Sequence, residues 1–416
     1  RSVPGAASFM LTCCERGGTG DGKNNSRGSD SDSEGSVSDS GSYLSEESAG
    51  PAAHRAKRDA ELAELGALSA DQRASKLKAY GWITPSTGHH FDVADVTRLP
   101  GSKAPAVVKA HVRHWLPPPG VTIKATMFFC HGMHVHVNAK PTIAFYDDMS
   151  ARGYATFAMD LPGHGFSEGE NRCMIPDFQG CFDAHEALMR FVLGGCAQDD
   201  KAEVALGVDS AVLAALRGKP FFVVGESMGG MIAAFLAQQV AKGTSRELAG
   251  GFRGALLLCP SLVVDLPPPP VLWFLRSCVV PAVPHWTMPN SLSSSAATKP
   301  YDIFDDAVEQ DMITLDNYHM PECGWPGTPG ALGWRHGLRW STANAFLKAF
   351  ARLEGLMDSI AYPFLVLHDP HDKICFFKGS TDLMDRSRSS DKTLTRVEGG
   401  LHGLCANRRE EVAQAM

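Results

Sequence analysis

The stretch Phe221-Phe222-Val223-Val224-Gly225-Glu226-Ser227-Met228-Gly229-Gly230 decides the fold of this chain. Its first four residues are apolar and predict a buried strand, and the apolar run over residues 231–237 predicts a helix directly after it. Between them lies the pattern G-x-S-x-G, in which a sharp turn raises the serine hydroxyl above the edge of a sheet. Glycine is needed on both sides of the serine because a Cβ there would collide with the crossing strand and helix. We therefore predict that Ser227 is a nucleophile; the alternative is a glycine-rich turn with an incidental serine.

Strands and helices alternate on both sides of this turn. An antiparallel hairpin is predicted over residues 91–96 and 106–112. The further predicted strands are 123–130, 154–160, 254–260, 363–368 and 394–397, and the predicted helices are 142–152, 175–192, 343–357 and 410–416. This alternation is typical of an α/β protein whose mostly parallel, doubly wound sheet has helices on both faces.

A second motif follows the strand that is predicted over residues 123–130. This strand ends in His131-Gly132-Met133, which is typical of the turn that offers a backbone N–H group to an oxyanion. We expect the backbone amides of Met133 and Met228 to form an oxyanion hole. An ordinary turn that happens to contain a histidine is the alternative interpretation.

The base that a serine nucleophile requires is predicted to be His402. This residue lies in a glycine-flanked loop after the last predicted strand, where imidazole can reach the serine hydroxyl. His164 is a less favoured base, because it precedes Ser227 in the chain and lies in a loop of three glycines and a proline. The order of serine, acid and then histidine is the one that this class of fold uses.

Two carboxylates compete for the role of the acid. Asp369 and Asp372 both follow the strand predicted over residues 363–368. Asp369 precedes Pro370, which restricts its backbone to extended conformations. Asp372 lies further into the loop, where it can reach across to His402, so we predict that Asp372 is the acid.

Five stretches of the sequence resemble the monoacylglycerol lipase and lysophospholipase group of serine hydrolases, which carry a serine aminopeptidase S33-type domain. They are Phe129-Cys130-His131-Gly132, Asp160-Leu161-Pro162-Gly163-His164-Gly165-Phe166-Ser167-Glu168-Gly169, Gly225-Glu226-Ser227-Met228-Gly229, Leu367-His368-Asp369-Pro370-His371-Asp372-Lys373-Ile374-Cys375 and Gly400-Leu401-His402. The resemblance covers roughly residues 85–416 and implies an α/β-hydrolase fold with an inserted cap, with Asp372 as the acid. The sequence departs from the group at Met133-His134-Val135-His136, where the group has a glycine- and glutamate-containing run.

Composition limits the classes of function. The chain has 416 residues, of which 44% are hydrophobic, and a net charge of −7. It has no basic stripe for nucleic acid, and no apolar run reaches the roughly 20 residues that a membrane-spanning helix needs. Its 11 cysteines show no paired spacing, which favours reduced thiols and a cytoplasmic location.

Changes in composition divide the chain into five predicted parts. They are an acidic, disordered Ser/Gly-rich tail (1–52), a helical linker (53–84), the first part of the hydrolase core (85–264), a cap insertion (265–342) and the second part of the core (343–416). The apolar run in the cap is interpreted either as a peripheral membrane contact or as packing against the core. The chain begins at Arg1 rather than at Met, so we expect residues ahead of it, and the short final helix suggests that more residues follow.

These expectations combine into one functional prediction. The chain is predicted to be a serine esterase or lipase that cleaves monoacylglycerol or lysophospholipid-like esters to fatty acid and glycerol through an acyl-enzyme, with no metal or organic cofactor. A first alternative is hydrolysis or acyl transfer on another ester, such as caffeoyl shikimate. A second alternative, from another class, is a non-catalytic scaffold with a hydrolase fold. The sequence predicts no oligomeric state.

Overall fold

An eight-stranded sheet forms the centre of the fold, with the strand order β1-β2-β4-β3-β5-β6-β7-β8. The computed structural model describes residues 88–194, 205–243, 246–289, 303–314, 332–334 and 336–416, together with scattered residues between 56 and 79. The strands are β1 (His89–Ala94), β2 (Val107–Trp115), β3 (Ala125–Cys130), β4 (Tyr154–Met159), β5 (Phe221–Glu226), β6 (Phe252–Leu258), β7 (Phe364–His368) and β8 (Lys392–Arg396). The predicted tail 1–52 lies outside the described residues, as does most of the predicted linker.

The described helices connect and cover these strands. They are α1 (Lys140–Ala151), α2 (Phe178–Leu193), α3 (Ser210–Leu216), α4 (Met228–Ala241), α5 (Arg246–Ala249), α6 (Pro269–Phe274), α7 (Val280–Ala282), α8 (Ala307–Thr314), α9 (Trp340–Leu356), α10 (Phe377–Arg386), α11 (Leu404–Asn407) and α12 (Arg409–Ala415). A π-helical stretch, Leu275–Val279, joins α6 to α7, and the 3₁₀ turn Met357–Ser359 extends α9.

Two strand pairings at one edge explain why the sheet is only mostly parallel. β1 pairs with β2 and β2 pairs with β4 in antiparallel orientation, whereas every pairing from β4 through β3 and β5 to β8 is parallel. The predicted hairpin is therefore confirmed, and it forms one edge of the sheet. The mostly parallel, doubly wound α/β-hydrolase architecture is confirmed with it.

Both faces of the sheet are buried, because the strands alternate their apolar side chains between two cores. In β3, Phe128 packs into the larger core with α2, α4 and α9, while Phe129 packs into the smaller core with α1, α11 and α12. In β5, Val223 and Val224 divide between the same two cores. This period of two along continuous apolar strands is what a sheet covered on both faces requires.

The regular alternation stops after β6. Before α9 the described residues contain only short helices and an isolated bridge between Thr287 and Arg339, and no strand of the sheet. This is the region of the predicted cap, although the exact limits of the five parts remain predictions. In the described part of the chain, no helix is both long enough and apolar enough to cross a membrane.

Candidate active site

Ser227 occupies a strained backbone position between β5 and α4. Its φ of 58° and ψ of −122° lie outside the regions that a residue with a side chain normally adopts. The surrounding glycines make the turn possible, since a Cβ on Gly229 would lie 1.9 Å from the carbonyl oxygen of Cys130, and one on Gly225 would lie 2.0 Å from the carbonyl oxygen of Gly229. The sharp turn that the sequence motif predicts is therefore present, and it is held by close packing.

Two hydrogen bonds to the end of one neighbouring strand fix the backbone of Ser227. Its N–H group donates to the carbonyl of Leu258 at 2.9 Å, and its carbonyl accepts from the N–H group of Ser261 at 2.9 Å. Both partners belong to β6 or to the loop after it. The strained turn is thus supported by the neighbouring strand as well as by its own helix.

Two backbone amides that were predicted to form the oxyanion hole are free to bind a ligand. Among the described residues, the N–H groups of Met133 and Met228 have no hydrogen-bonding partner. Met228 is the first residue of α4, where the helix dipole favours negative charge. The loop of Met133 passes close to the serine, since a Cβ on Gly132 would lie 3.3 Å from Ser227 Cβ.

His131 anchors this loop to the next strand end. Its Nε2 accepts a hydrogen bond from the N–H group of Leu161 at 3.0 Å, so the proton lies on Nδ1, which donates to the carbonyl of Gly132 at 2.7 Å. Burial lowers the pKa of His131 and keeps the imidazole neutral. The histidine of the H-G-x turn is therefore structural.

Asp372 and His402 are brought together as the sequence predicts. His402 Nδ1 donates to Asp372 Oδ2 at 2.7 Å. The other carboxylate oxygen accepts from the N–H groups of Ile374 at 2.7 Å and Cys375 at 3.1 Å. Burial alone would raise the pKa of Asp372, but the neighbouring imidazoles and amides outweigh it, and the pKa lies well below its ordinary value.

Asp369 has a different task in the same loop. Its two carboxylate oxygens accept from the N–H groups of His371 at 2.8 Å and Leu401 at 2.7 Å. Leu401 precedes His402 and has a positive φ of 51°, so this hydrogen bond holds a strained residue at the start of the histidine loop. Both carboxylates thus accept from backbone N–H groups, but only Asp372 is hydrogen-bonded to the imidazole of His402.

The hydroxyl of Ser227 points towards the acid loop. The hydroxyl oxygen lies 3.9 Å from Cys375 Sγ. Among the described residues, no hydrogen bond joins the hydroxyl to His402. Cys375 donates its own N–H group to Asp372, so the serine lies beside the loop that holds the imidazole. A hydrogen bond between this hydroxyl and His402 therefore requires the hydroxyl to turn away from Cys375 by rotation about χ1.

The charge of His402 fits the role of a base next to a carboxylate. Burial lowers the pKa of the imidazole, but the charge of Asp372 and its hydrogen bond raise it by more, so that the pKa lies above its ordinary value. His164, the less favoured base, is buried with its Nδ1 3.4 Å from the carbonyl of Pro162. Burial holds the pKa of His164 well below its ordinary value, which suits a structural residue.

Several residues beside the site could not be found from the sequence. His368 Nε2 lies 3.3 Å from Asp372 Oδ2, and His368 Nδ1 lies 2.7 Å from Ser380 Oγ. Glu226 precedes the serine, and burial raises the pKa of its carboxyl to about 7. Cys259, after β6, has its thiol within 4.8 Å of ligand atoms of Asp372 and His402. Glu226 and His368 lie within the motifs of the sequence, but the residue pattern assigns them no role, whereas Cys259 reaches the site only through the order of the strands.

Comparison with known proteins identifies a hydrolase family and related ester hydrolases. The sequence profile of the family described as "Serine aminopeptidase, S33" matches residues 122–320 and 332–409. Monoglyceride lipase of Mus musculus is 29% identical over 294 residues, which are 70% of this chain and 79% of the lipase. Caffeoylshikimate esterase of Arabidopsis thaliana is 25% identical over 311 residues, which are 74% of this chain and 79% of the esterase.

A solved structure shares the fold. The crystal structure of a soluble variant of monoglyceride lipase from Saccharomyces cerevisiae, in complex with a substrate analog, superposes with a TM-score of 0.53 and 16% identity. The match covers 78% of this chain and 94% of that structure. At this identity the likeness concerns the arrangement of strands and helices alone.

Proposed function

This chain belongs to the hydrolase family described as serine aminopeptidase, S33, and from that premise we propose that it is a serine ester hydrolase whose catalytic residues are Ser227, His402 and Asp372. The contact that carries the proposal is the 2.7 Å hydrogen bond between His402 Nδ1 and Asp372 Oδ2. It leaves Nε2 without a proton and therefore able to act as a base.

The first step is attack by the serine. Ser227 Oγ adds to the ester carbonyl carbon, and its proton passes to Nε2 of His402. The imidazolium that forms is stabilised by the ionised carboxylate of Asp372, whose low pKa keeps it charged at neutral pH. Asp372 thus acts through charge and orientation and does not take the proton itself.

The negative charge on the former carbonyl oxygen requires donors that are already in place. The free amides of Met133 and Met228 supply them, and the dipole of α4 adds to their effect. Collapse of the tetrahedral intermediate leaves an acyl-enzyme on Ser227, while His402 protonates the departing alcohol. Water, activated by the same imidazole, then releases the acid and restores the serine.

The substrate class that we propose is a monoacylglycerol or a lysophospholipid-like ester, which yields a fatty acid and glycerol or its derivative. The names of the mammalian relatives support it, and the caffeoylshikimate esterase supports a phenolic ester as the second candidate. The departure at His134 bears on the choice between them. This residue has a positive φ of 65° directly after the proposed oxyanion amide, and its ring lies 6.5 Å from that of Trp334.

We also propose that the region after β6 meets lipid surfaces. Trp273 is 66% exposed, Phe274 52% and Trp286 62%, and large apolar side chains at such exposure are typical of an interaction site when they cluster. Tryptophan in particular favours the boundary between water and lipid. The proposed location is therefore the cytoplasm, with peripheral attachment to membranes.

A panel of esters tests the proposal. Purified protein is assayed with monoolein, a lysophospholipid, a caffeoyl ester and an acyl-CoA, and Ser227→Ala is assayed beside it. We expect monoolein to be cleaved fastest and the variant to lose both hydrolysis and labelling by a fluorophosphonate probe. Full labelling and turnover in a folded Ser227→Ala variant would refute the assignment, and absence of labelling in the unaltered protein would favour a non-catalytic scaffold.

A further inference from the structure

Three side chains around the proposed base have the chemistry of a metal site. We propose that Cys259, Asp372 and His402 bind one thiophilic divalent cation of the zinc class, and that binding stops the hydrolysis proposed above. Each residue offers one ligand atom, and these atoms all lie within 4.8 Å of one another. The binding stands on this geometry alone, whereas its inhibitory effect rests on the proposed function.

The separations are close to those of a real coordination sphere. Bonds of about 2.3 Å to sulfur and about 2.0–2.1 Å to nitrogen or oxygen place tetrahedral ligands roughly 3.3–3.7 Å apart. The ligand atoms would therefore approach one another by about 1.5 Å at most, except for the Asp372–His402 pair. That pair, now 2.7 Å apart, would have to open as the cation entered.

Strand order places Cys259 beside the base. The residue follows β6, has a positive φ of 41°, and donates its N–H group to the carbonyl of Leu367 in β7 at 2.9 Å. Its thiol donates to the carbonyl of Leu401 at 3.4 Å. The sulfur thus contacts the residue that precedes His402, and it lies within 4.8 Å of the ligand atoms of Asp372 and His402.

The donor set selects the kind of cation. Thiolate and imidazole favour Zn²⁺ and Cd²⁺, whereas Mg²⁺ and Ca²⁺ prefer sites made only of oxygen. The side chains of Cys259 and Asp372 are buried and that of His402 is 11% exposed. A cation bound here would therefore be largely shielded from water. His402 is the ligand through which the site is accessible to solvent.

Binding would disable the base through either imidazole nitrogen. If the cation takes Nε2, it occupies the lone pair that would accept the serine proton. If it takes Nδ1, the single proton of the neutral imidazole moves to Nε2, which then has no lone pair. In both cases the Cys259 thiol releases its proton to water as the metal–sulfur bond forms.

The full chain is tested first with Cd²⁺, because a cadmium–thiolate bond gives a charge-transfer band in the ultraviolet. We expect saturation at one equivalent, competition by Zn²⁺, and inhibition by Zn²⁺ that a chelator reverses. Each protein is compared with its own metal-free rate. In Cys259→Ser the band disappears and the zinc concentration for half-inhibition rises at least about tenfold.

Two other cysteines provide matched controls. Cys375 lies beside Ser227 but outside the ligand group, and Cys278 is exposed on the region after β6. Cys375→Ser and Cys278→Ser should keep both the band and the sensitivity to zinc. A band that persists in Cys259→Ser, or one that disappears in either control, would overturn the proposal.

A measurement without variants covers the case in which Cys259→Ser fails to fold. Zinc-edge X-ray absorption of the unaltered protein should show one sulfur at about 2.3 Å with nitrogen and oxygen at about 2.0–2.1 Å; a shell without sulfur refutes the site. The two proposals can fail separately. Metal binding without turnover of any ester would remove the function and leave the site, whereas ester turnover that zinc does not affect, with no cadmium band, would remove the site alone.

Discussion

Helices α4 and α6 are both apolar and both follow a strand of the sheet, yet their surroundings are opposite. In α4, 12 of the 14 residues are buried, including Phe235. In α6, none of the six residues is buried, and Trp273 is 66% exposed. An apolar helix sequence therefore indicates that the helix packs against something apolar, but it does not identify that partner. The two cores are the partner of α4, and we propose that a lipid surface is the partner of α6.

The largest effect should come from the residue that α4 supports. Replacing Ser227 with Ala should lower kcat/KM for monoolein by about 10⁴-fold or more, because the proposed acyl-enzyme forms on the hydroxyl that this substitution removes. The thermal midpoint should stay within a few degrees of that of the unaltered protein, since only a hydroxyl is removed. Steady-state assays and a melting curve measure both, and a decrease of less than about tenfold would show that the reaction uses another nucleophile.

The next largest effect distinguishes the two carboxylates of one loop. Asp372→Asn should lower kcat by about 10³–10⁴-fold, because an amide neither fixes the tautomer of His402 nor stabilises its cation. Asp369→Asn, the matched control, leaves the pair of Asp372 and His402 unaltered and changes the carboxylate that accepts from the N–H groups of His371 and Leu401. Its effect on kcat should be at least about tenfold smaller, and equal losses would contradict the separate roles.

A substitution that disturbs the close packing of α4 should lower the stability of the protein. Gly229→Ala places a Cβ 1.9 Å from the carbonyl oxygen of Cys130, where backbone must move, so unfolding should become easier by about 3 kcal/mol. Gly355 in α9 has nothing within 4 Å of an added Cβ. Gly355→Ala should therefore stabilise by about 0.5–1 kcal/mol, because alanine favours a helix. Denaturant unfolding measures both, and effects of the same sign would refute the contrast.

The smallest effect should come from α6 itself. Replacing Trp273 and Phe274 together with Ser should leave stability and the hydrolysis of a soluble short-chain ester nearly unchanged, while hydrolysis of monoolein in vesicles falls about tenfold. Val107 is 55% exposed at the start of β2, and Val107→Ser serves as the control for removing exposed apolar surface. If vesicle binding is the same in all three proteins, α6 has no role at the lipid surface.

Much of the sheet could be predicted because its central strands, β3 to β7, are mostly buried and have nearly continuous apolar sequences. The turn at Ser227 was visible because glycine at two fixed positions is a local requirement. Helix α10 was not predicted, since its sequence is short and mostly polar and its place depends on contacts with β7 and β8. The pairing of Asp372 with His402 was predicted from the loops, and the catalytic roles of these residues remain predictions.

The neighbours of the site were beyond prediction for a related reason. Cys259 follows β6, whereas Asp372 follows β7 and His402 follows β8, so these three residues meet only because the three strands are adjacent. Nothing in the residues beside Cys259 in the chain signals this meeting. The contact of His368 with Asp372 is between residues four apart in the chain, but no residue type in that stretch marks it. A sequence motif records local geometry, whereas strand order is decided by the packing of the whole sheet.

The strand order has a consequence for how the protein acquires activity. Ser227 follows β5, Asp372 follows β7 and His402 follows β8, and the long segment between β6 and α9 separates the first from the other two. Loops of such length must close before these side chains meet, which makes their meeting a slow event in folding. During renaturation, helical content should therefore return well before enzymatic turnover, and a chain still emerging from the ribosome would remain inactive until its last strand is released.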